Sequence, residues 1–410
     1  MSGKRANLRE SGQRFRRRIR GQDRAVSPVV ATLILILIAV AAAAALYLWL
    51  VAWQGNLTAG IGTPSAQYTV TIGGSTSVYP FSSVGVQWFE QNNSNVVISD
   101  NQGGTGAGML AVCQGHIDVG AASSPQTVSG LQSSDGCPVS DDVTITTIAY
   151  DAVDIITSQK AGGPGITSMN QTILLGIYLA QSTTVPTGVT YAGLGLVLPA
   201  AWPAIGSGAL HWNAVPTTAG CGYTTNCTFS SNVNVVNTYE RSDTSGTEQT
   251  FTSRLLGFTS ATTVASSLSS LGFGGCGSDG QLASCGSSGG ITATHAENGN
   301  PAVISAVASD VNGIGFASDG LARASGSGVN FLAFAGPGQA TAIVPSLGSS
   351  GSIAHGITGA ANPYVGWRPF EFVTLNPPTG EVERFFEFLL DPANNINIAS
   401  ASAEISIYSV

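Results

Sequence analysis

Hydrophobic and polar positions alternate in short blocks along the chain, and these blocks predict strands that are followed by helices. A β-rich run at 68–72 precedes apolar positions with helical spacing at 81–89. A second apolar run, at 96–98, precedes another helical pattern that begins near Met109. The clearest amphipathic helix is predicted at 381–390, where the apolar residues share one side. The pattern therefore predicts an α/β protein.

The remaining blocks continue this alternation. The segment 183–233 is long, irregular and rich in Gly, Pro and Thr, which is typical of an elaboration on a core fold. Further strands are predicted at 143–149, 153–157, 233–239 and 371–375, and further helices at 170–181 and 302–310.

The N-terminal part has a different pattern. Residues 1–24 carry nine Lys and Arg side chains, and the 25 residues at 29–53 are almost purely apolar. As a helix, that apolar run would span roughly 37 Å, which is enough to cross a bilayer. The basic flank would keep the N-terminus in the cytoplasm. We predict a basic cytoplasmic or leader segment at 1–24, a transmembrane helix at 25–54 and a linker at 55–66, with the body outside the cell.

The charge of the body limits its partners. After residue 24 the chain has six basic and 21 acidic residues, which leaves a net charge of −15. An acidic body argues against nucleic acid as a partner. Any anion must therefore be bound by a local arrangement of donors, because the overall field repels it.

Three loops rich in Gly, Ser and Thr stand at predicted helix starts, within 73–77, 103–108 and 239–257. A helix start offers free backbone N–H groups and the positive end of the helix dipole, and hydroxyls nearby add further donors. A single loop of this kind is weak evidence in a chain with 52 glycines. Three of them, one beside an arginine, favour an anion-binding site.

The third loop has the most specific pattern. Arg241 supplies a full charge and a planar set of donors. Ser245 is a good N-cap, and Glu248, three residues later, is expected to complete a capping box. A capped helix beside a surface arginine would give the same pattern, so this stretch alone leaves both interpretations open.

These three stretches, in this order, carry a resemblance to a known family. GGSTSVYP, GGTGAGMLAVCQGHIDVGAASS and RSDTSGTEQTFTSRL resemble the corresponding segments of phosphate-binding proteins of ABC phosphate transporters. The resemblance runs from about Gln67 to the C-terminus and implies the α/β type II periplasmic-binding-protein fold. It implies a first lobe built from 67–152 and 319–410, a second lobe at 153–318, a first hinge at 150–152, and inorganic phosphate between the lobes.

The resemblance also implies a set of ligands. Asp243 is expected to hold the Arg241 guanidinium in place. Thr105 stands where the family usually has Ser, and Ser123 stands where some members have an Asp that accepts a proton from phosphate. The phosphate-binding residues implied by position are Ser75, Thr76, Ser77, Thr105, Gly106, Ser123, Arg241, Ser245, Gly246 and Thr247.

The junction GQDR-AVSPVVATLILILIAV resembles the class III signal of archaeal pilins and of some archaeal solute-binding proteins. This resemblance implies cleavage between Arg24 and Ala25, with the apolar helix retained. An uncleaved anchor with a basic flank would give the same composition. The expected protein is a membrane-anchored extracellular receptor that passes phosphate to an ABC permease. The alternative is a pilin-like filament subunit that self-assembles through its N-terminal helix.

The six cysteines are even in number, and an exported body favours disulfides. Pairing of sequence neighbours is the simplest of fifteen connectivities, and buried free thiols are the alternative. That pairing joins Cys113 to Cys137, Cys221 to Cys227, and Cys276 to Cys285. The isolated histidines predict no metal site. We expect no cofactor, and binding rather than catalysis, because no motif supplies a nucleophile with its base.

Overall fold

The computed structural model describes residues 67–410, apart from 140–141, 183, 185–189, 193, 195, 197, 199–201, 220–227, 259–279, 286–289, 325–327 and 337. The predicted leader, transmembrane helix and linker, at 1–24, 25–54 and 55–66, lie outside these residues. Within the described part, no helix combines the length and the apolar character that a membrane crossing needs.

The described residues contain a large mixed β-sheet and a separate two-stranded sheet. The strands of both sheets, numbered in chain order, are β1 Tyr68–Gly74, β2 Val96–Gln102, β3 Val119–Ala122, β4 Thr144–Ser158, β5 Ser168–Asn170, β6 Asn237–Arg241, β7 His295–Glu297, β8 Gly313–Ser318, β9 Val329–Phe331, β10 Ala333–Ala335 and β11 Trp367–Thr374. The order across the sheet is β2-β1-β3-β11-β4-β8-β6-β7, with β9 paired to β4 and with β5 and β10 as a separate pair.

Strand direction places the loops. β1 is parallel to both β2 and β3, and β6 is parallel to both β7 and β8. The carboxyl ends of parallel strands lie at the same edge of a sheet, and ligands of open α/β sheets bind outside that edge. The first two Gly/Ser/Thr loops follow β1 and β2, so the topology brings them together.

The helices cover the sheet. They are α1 Tyr79–Asn92, α2 Thr105–Cys113, α3 Val128–Ser134, α4 Gln171–Gln181, α5 Gly246–Thr250, α6 Asn300–Ser309, α7 Asp319–Ala324, α8 Ser352–Thr358, α9 Gly380–Leu390 and α10 Pro392–Ser402. Pro80 stands in the first turn of α1, where its missing N–H removes no intrahelical bond. The Asn170 side chain caps α4 by accepting from the Ile173 N–H.

Strand β4 is longer than predicted. The sequence suggested separate β-rich runs at 143–149 and 153–157, but β4 continues for 15 residues through both. Antiparallel pairing with β11 holds the middle of β4, where Asp151 stands opposite Arg368. The register of β11 shifts between Phe370 and Glu371, next to Pro369. A proline in a central strand is tolerated beside such an irregularity because it cannot donate to the ladder.

Packing divides the described residues into separate cores. One core joins α1, α9 and α10 to β1 and the first part of β4, and another surrounds α4. The second core also contains Phe334, Ile353 and Tyr364, which precede β11. The residues just before β11 therefore pack in the core around α4, and Phe370 and Phe372 of β11 pack in the core that contains α1. The predicted lobes, 67–152 with 319–410 and 153–318, stay a prediction.

A disulfide joins Cys113, the last residue of α2, to Cys137, which follows α3. This bridge confirms the first predicted pair. Cys285 is also disulfide-bonded. Because Cys221, Cys227 and Cys276 lie outside the described residues, the other two predicted pairs stay predictions.

Candidate functional site

Hydroxyl side chains from three loops meet above the sheet. Ser75 and Ser77 follow β1, Ser123 follows β3, and Thr247 lies in α5. The Ser75 Oγ donates to the Ser123 Oγ at 2.8 Å, and the Ser77 and Thr247 hydroxyls are 2.9 Å apart. All four residues are buried. The structure therefore brings together segments that are up to 170 residues apart in sequence.

Thr105 and Gly106 start α2 beside this group. The Thr105 Oγ1 accepts from the Ser123 N–H at 3.3 Å and lies 3.4 Å from the Ser123 Oγ. The Gly106 N–H donates to the Thr244 carbonyl at 3.3 Å. That bond makes Gly106 a contact between the second and third loops, and its predicted phosphate contact stays a prediction.

The backbone of Gly246 packs closely against the side chains of Ser123 and Thr105. A Cβ at this position would lie 2.7 Å from both the Ser123 Oγ and the Thr105 Oγ1. Any other residue would therefore displace the two hydroxyls. A cavity of about 120 Å³ opens beside this contact and is lined in part by Thr105, Ser245 and Gly246.

Arg241 ends strand β6, two residues beyond the strand that the sequence predicted at 233–239. Its side chain is buried and forms an ion pair with Asp243, with an Nη2–Oδ2 distance of 2.5 Å and an Nε–Oδ1 distance of 2.8 Å. The Nη2 also donates to the Thr76 Oγ1 at 3.2 Å. The buried Nη1 has no acceptor among the residues that the structure describes. A buried charged donor without an acceptor is costly, so this atom points to a ligand.

A second arginine, Arg368 on β11, reaches the same group of hydroxyls. It is fully buried and forms an ion pair with Asp151 at 2.6 Å. Its Nη1 donates to the Ser123 carbonyl at 3.1 Å, the Ser123 Oγ at 3.2 Å and the Thr247 Oγ1 at 3.0 Å. Arg368 was not predicted from the sequence, because only the pairing of β4 with β11 brings it to this site.

Asn300, the first residue of α6, was also missed. Its Nδ2 donates to the Ser77 Oγ at 2.8 Å and lies 3.3 Å from the Thr247 Oγ1 and 3.4 Å from the Thr76 Oγ1. Its Oδ1 accepts from the Ser318 N–H at 3.1 Å. The sequence signal was slight: an Asn before a Pro, at the start of a predicted helix.

Ser245 caps α5 as predicted, and its Oγ accepts from the Thr247 and Glu248 N–H groups. The predicted capping box is wrong, however. The Ser245 N–H donates to Gln281, and Glu248 turns inward, where its carboxyl oxygens accept from the Arg241 and Leu282 N–H groups at 3.0 and 2.7 Å. Two distant backbone donors therefore replace the local one. Burial raises the pKa of Glu248 to about 8.

A cluster of carboxyl groups lies behind Arg368. Asp151 accepts from Arg368 and from the Ser318 hydroxyl at 2.8 Å. Glu404 faces Asp151, and burial, followed by the charge of Asp151, raises the pKa of Glu404 well above its usual range. No N–H or O–H of the described residues reaches the Glu404 carboxyl oxygens. This carboxyl is therefore satisfied when it carries a proton and donates to Asp151 itself.

A second group of two carboxyls and an arginine lies at Asp154, three residues after Asp151 on β4. Asp319 forms an ion pair with Arg323 at 2.7 Å. Burial, followed by the charge of Asp319, raises the pKa of Asp154 well above its usual range. In both groups, a carboxyl whose pKa is raised lies beside a carboxylate that is paired with an arginine. In the described part of the chain, no cluster of His, Cys, Asp and Glu is suited to a metal ion.

Comparisons with known proteins agree with this architecture. Residues 59–393 match a family model described as a PBP superfamily domain. No curated protein matches the chain.

Several solved structures resemble the chain. One, described as a phosphate ABC transporter substrate-binding protein with bound phosphate from Clostridium perfringens, is 18% identical with a TM-score of 0.52, over 83% of this chain and 99% of that chain. The high-affinity periplasmic phosphate-binding protein PfluDING, bound with phosphate, is 14% identical with a TM-score of 0.55, over 82% and 90%. A human phosphate-binding apolipoprotein is 12% identical with a TM-score of 0.54, over 82% and 91%. At such low identity these likenesses show the fold alone. Because the family model covers most of the chain, the protein belongs to the PBP superfamily.

Proposed function

We propose that this protein is a solute-binding protein that captures inorganic phosphate among the loops after β1, β2, β3 and β6. The observation that carries the proposal is the buried Arg241 Nη1, which lacks an acceptor within the described residues. A phosphate oxygen would supply that acceptor, and charge-assisted hydrogen bonds of this kind are the strong ones. The predicted set from Ser75 to Thr247 would supply hydroxyl and N–H donors around it.

Binding, rather than a reaction, is the proposed activity. The carboxylate beside Arg241, Asp243, is ion-paired with that guanidinium. The neighbouring hydroxyls of Ser77 and Thr247 accept from Asn300 and Arg368. General acid–base catalysis instead needs a base that is positioned to take a proton. The likeness to two proteins that are described with bound phosphate supports the choice of ligand. We propose that lobe closure around the anion creates the form that an ABC permease in the same membrane recognises.

Anchoring remains part of the proposal. The apolar run at 29–53 would hold the body outside the cell as a single-pass membrane protein. The junction at Arg24 and Ala25 favours a second candidate, a pilin-like filament subunit that carries a phosphate-binding body. Electron microscopy of native membranes separates the two, because a filament subunit forms fibres and an anchored receptor is dispersed.

Calorimetric titration of the ligand-stripped chain with phosphate tests the proposed function. We expect one site per chain with micromolar or tighter affinity. Arg241→Ala should weaken binding by about 2–5 kcal/mol, because a buried anion loses its charged partner. Arg384→Ala, which removes a half-exposed arginine on α9, is the matched control and should bind as the parent does. A folded, ligand-free parent protein that takes up no phosphate would refute the proposal.

A further inference from the structure

The sequence contains four Asn-x-Ser/Thr triplets, which begin at Asn56, Asn92, Asn170 and Asn226. Such a triplet is the acceptor sequence for N-linked glycosylation in exported proteins, and the bulky sugar requires an asparagine at the surface. Asn56 and Asn226 lie outside the described residues. The structure therefore allows a comparison of the other two triplets, at Asn92 and Asn170.

Asn92 is the last residue of α1, and it is exposed. Ser94, the hydroxyl residue of the triplet, is also exposed and stands in the turn between α1 and β2. The Asn92 Nδ2 donates to the Trp88 carbonyl at 3.3 Å in a solvent-exposed bond. The side-chain amide of asparagine has two N–H groups, and glycosylation replaces one of them. The bond to Trp88 can therefore persist after a sugar is attached.

The next residue, Asn93, holds the end of α1 in place. The Asn93 Nδ2 donates to the Phe89 carbonyl at 2.8 Å, and the Asn93 backbone N–H donates to the Glu90 carbonyl at 3.2 Å. The Asn93 Oδ1 accepts from Arg384 on α9. Modification of Asn92 breaks none of these bonds, so the helix end does not have to change to accept a sugar.

Asn170 carries the same triplet in the opposite surroundings. It caps α4, because its Oδ1 accepts from the Ile173 N–H at 2.9 Å, and its Nδ2 donates to the Ala219 carbonyl at 3.0 Å. Its neighbours Met169 and Gln171 are buried, and α4 lies within a hydrophobic core. A sugar on the Asn170 nitrogen would have to lie against this packed backbone. The cap and the start of α4 would have to open first.

Asn92 is also remote from the anion site. Ser75 and Ser77 lie just before α1, whereas Asn92 ends it, and a helix of 14 residues is about 20 Å long. The loops that meet near Arg241 include those at the carboxyl ends of β1 and β2, whereas Ser94 lies at the amino end of β2. A sugar on Asn92 therefore leaves the site open to its ligand.

The turn at Ser94 leads into a strand at the edge of the sheet. Among the described strands, β2 is the last in the sheet order on its side. An edge strand presents backbone groups that can pair with another chain. The Ile98 N–H is already occupied by the Glu90 carboxylate at 2.6 Å. A hydrated sugar at Asn92 would add a bulky barrier beside the same edge.

We infer that Asn92 is a site of N-linked glycosylation and that Asn170 stays unmodified. The inference goes beyond phosphate binding and rests on the proposed position of the body outside the cell. The co-reactant is a lipid-linked sugar phosphate or pyrophosphate. The Asn92 Nδ2 bonds to the anomeric carbon of this donor and gives up one proton. The bond from that carbon to the phosphate oxygen breaks, and its electron pair leaves with the phosphate.

Peptide mapping by mass spectrometry of the full chain, isolated from the surface of its native cells, tests the inference. The peptide that contains Asn92 should carry the mass of one or more sugars, and the peptide that contains Asn170 should have its unmodified mass. Ser94→Ala should abolish the sugar on Asn92, because the triplet loses its hydroxyl. Ser94→Thr is the matched control, since it keeps a hydroxyl at the same exposed position, and it should retain the sugar.

Three results would overturn the inference. The first is an Asn92 peptide of unmodified mass in protein from the cell surface. The second is a sugar on Asn170 of the folded protein, which would contradict the role of accessibility. The third is a sugar on Asn92 that survives Ser94→Ala, which would exclude the triplet as its signal.

Failure of this inference is distinguishable from failure of the proposed function. Calorimetry decides phosphate binding and the peptide masses decide glycosylation, and neither result determines the other. The phosphate affinity of Ser94→Ala and of Ser94→Thr should stay within twofold of the parent, because the turn lies at the far end of α1 from the site.

Discussion

Two arginines meet at this site by different routes, and the difference explains what the sequence could reveal. Arg241 pairs with Asp243, two residues further along, and both stand beside a Gly/Ser/Thr loop. Arg368 pairs with Asp151, 217 residues away, through the antiparallel register of β4 and β11. The first pair can be seen as a motif in the sequence. The second pair exists only after the sheet has formed.

The two pairs also differ in their access to water. The Asp243 side chain is 10% exposed, whereas neither side chain of the Arg368 pair exceeds 1%. A charge that loses its partner can be rehydrated only where water reaches it. We therefore expect the Arg368 pair to act mainly on folding and the Arg241 pair mainly on ligand binding.

The largest expected effect follows from removal of Arg368. Arg368→Ala leaves Asp151 charged and buried and should lower the free energy of unfolding by about 3–5 kcal/mol. Arg241→Ala should lower it by about 1–3 kcal/mol, since Asp243 is closer to solvent. Urea unfolding of both ligand-free variants measures the difference. Equal losses would contradict the division of roles between the two arginines.

Much of the local structure could be predicted from the sequence. Apolar spacing identified α1 and α9, and the Ser245 cap follows from residue type and position. The loops near Ser75 and Thr105 stand at helix starts because Gly and hydroxyl residues favour such turns. These features depend on neighbours a few residues apart, and for that reason a linear pattern contains them.

The features that the sequence did not reveal depend on tertiary contacts. Glu248 has the spacing of a capping box, yet it accepts from the Arg241 and Leu282 N–H groups because the interior needs an acceptor there. The Asn300 side chain accepts from the Ser318 N–H, at the end of β8, and donates to the Ser77 hydroxyl. Such roles follow from strand order and burial, neither of which a local pattern determines.

A second expected effect concerns pH, because the surroundings of Arg241 keep a carboxyl protonated. Burial raises the pKa of Glu248 from 4.5 to about 8. Between these values the folded protein retains a proton that the unfolded chain has lost, so the free energy of unfolding decreases as the pH rises. From pH 5 to pH 7 the decrease due to Glu248 should be about 2.5 kcal/mol. Urea unfolding of Glu248→Gln over this range should show a correspondingly flatter slope.

The surroundings of Arg368 should respond in the same direction. Burial raises the pKa of Glu404 as well, so Glu404→Gln should also flatten the fall of stability with rising pH. The exposed substitution Glu387→Gln on α9 is the control and should leave the slope unchanged. A slope that Glu404→Gln does not alter would mean that Glu404 is ionised in the folded protein.

Removal of the disulfide is expected to lower the stability of the protein without changing its affinity for phosphate. Cys113 and Cys137 are 24 residues apart in sequence. Neither belongs to the set of site residues whose hydroxyls meet, which includes Ser75 and Ser123. The Cys113→Ser, Cys137→Ser double variant should lose roughly 3 kcal/mol of stability through the entropy of the unfolded chain. Its phosphate affinity in calorimetry should stay within twofold. A larger loss of affinity would show that the bridge positions Thr105 through α2.

The smallest expected effect comes from a third arginine, which has an acidic partner but lies in solvent. Arg384 on α9 contacts Glu381 at 2.7 Å, three residues earlier, and its side chain is 49% exposed. Water replaces much of that interaction when the pair is broken, and salt screens it, so Arg384→Ala should change the free energy of unfolding by less than about 1 kcal/mol. Urea unfolding at low and high salt measures the change in the free energy of unfolding and its dependence on salt. Since all three arginines have a carboxylate partner, a graded series from Arg368 to Arg384 would identify burial as the cause of the difference. A loss at Arg384 as large as that at Arg368 would instead make the ion pair itself the cause.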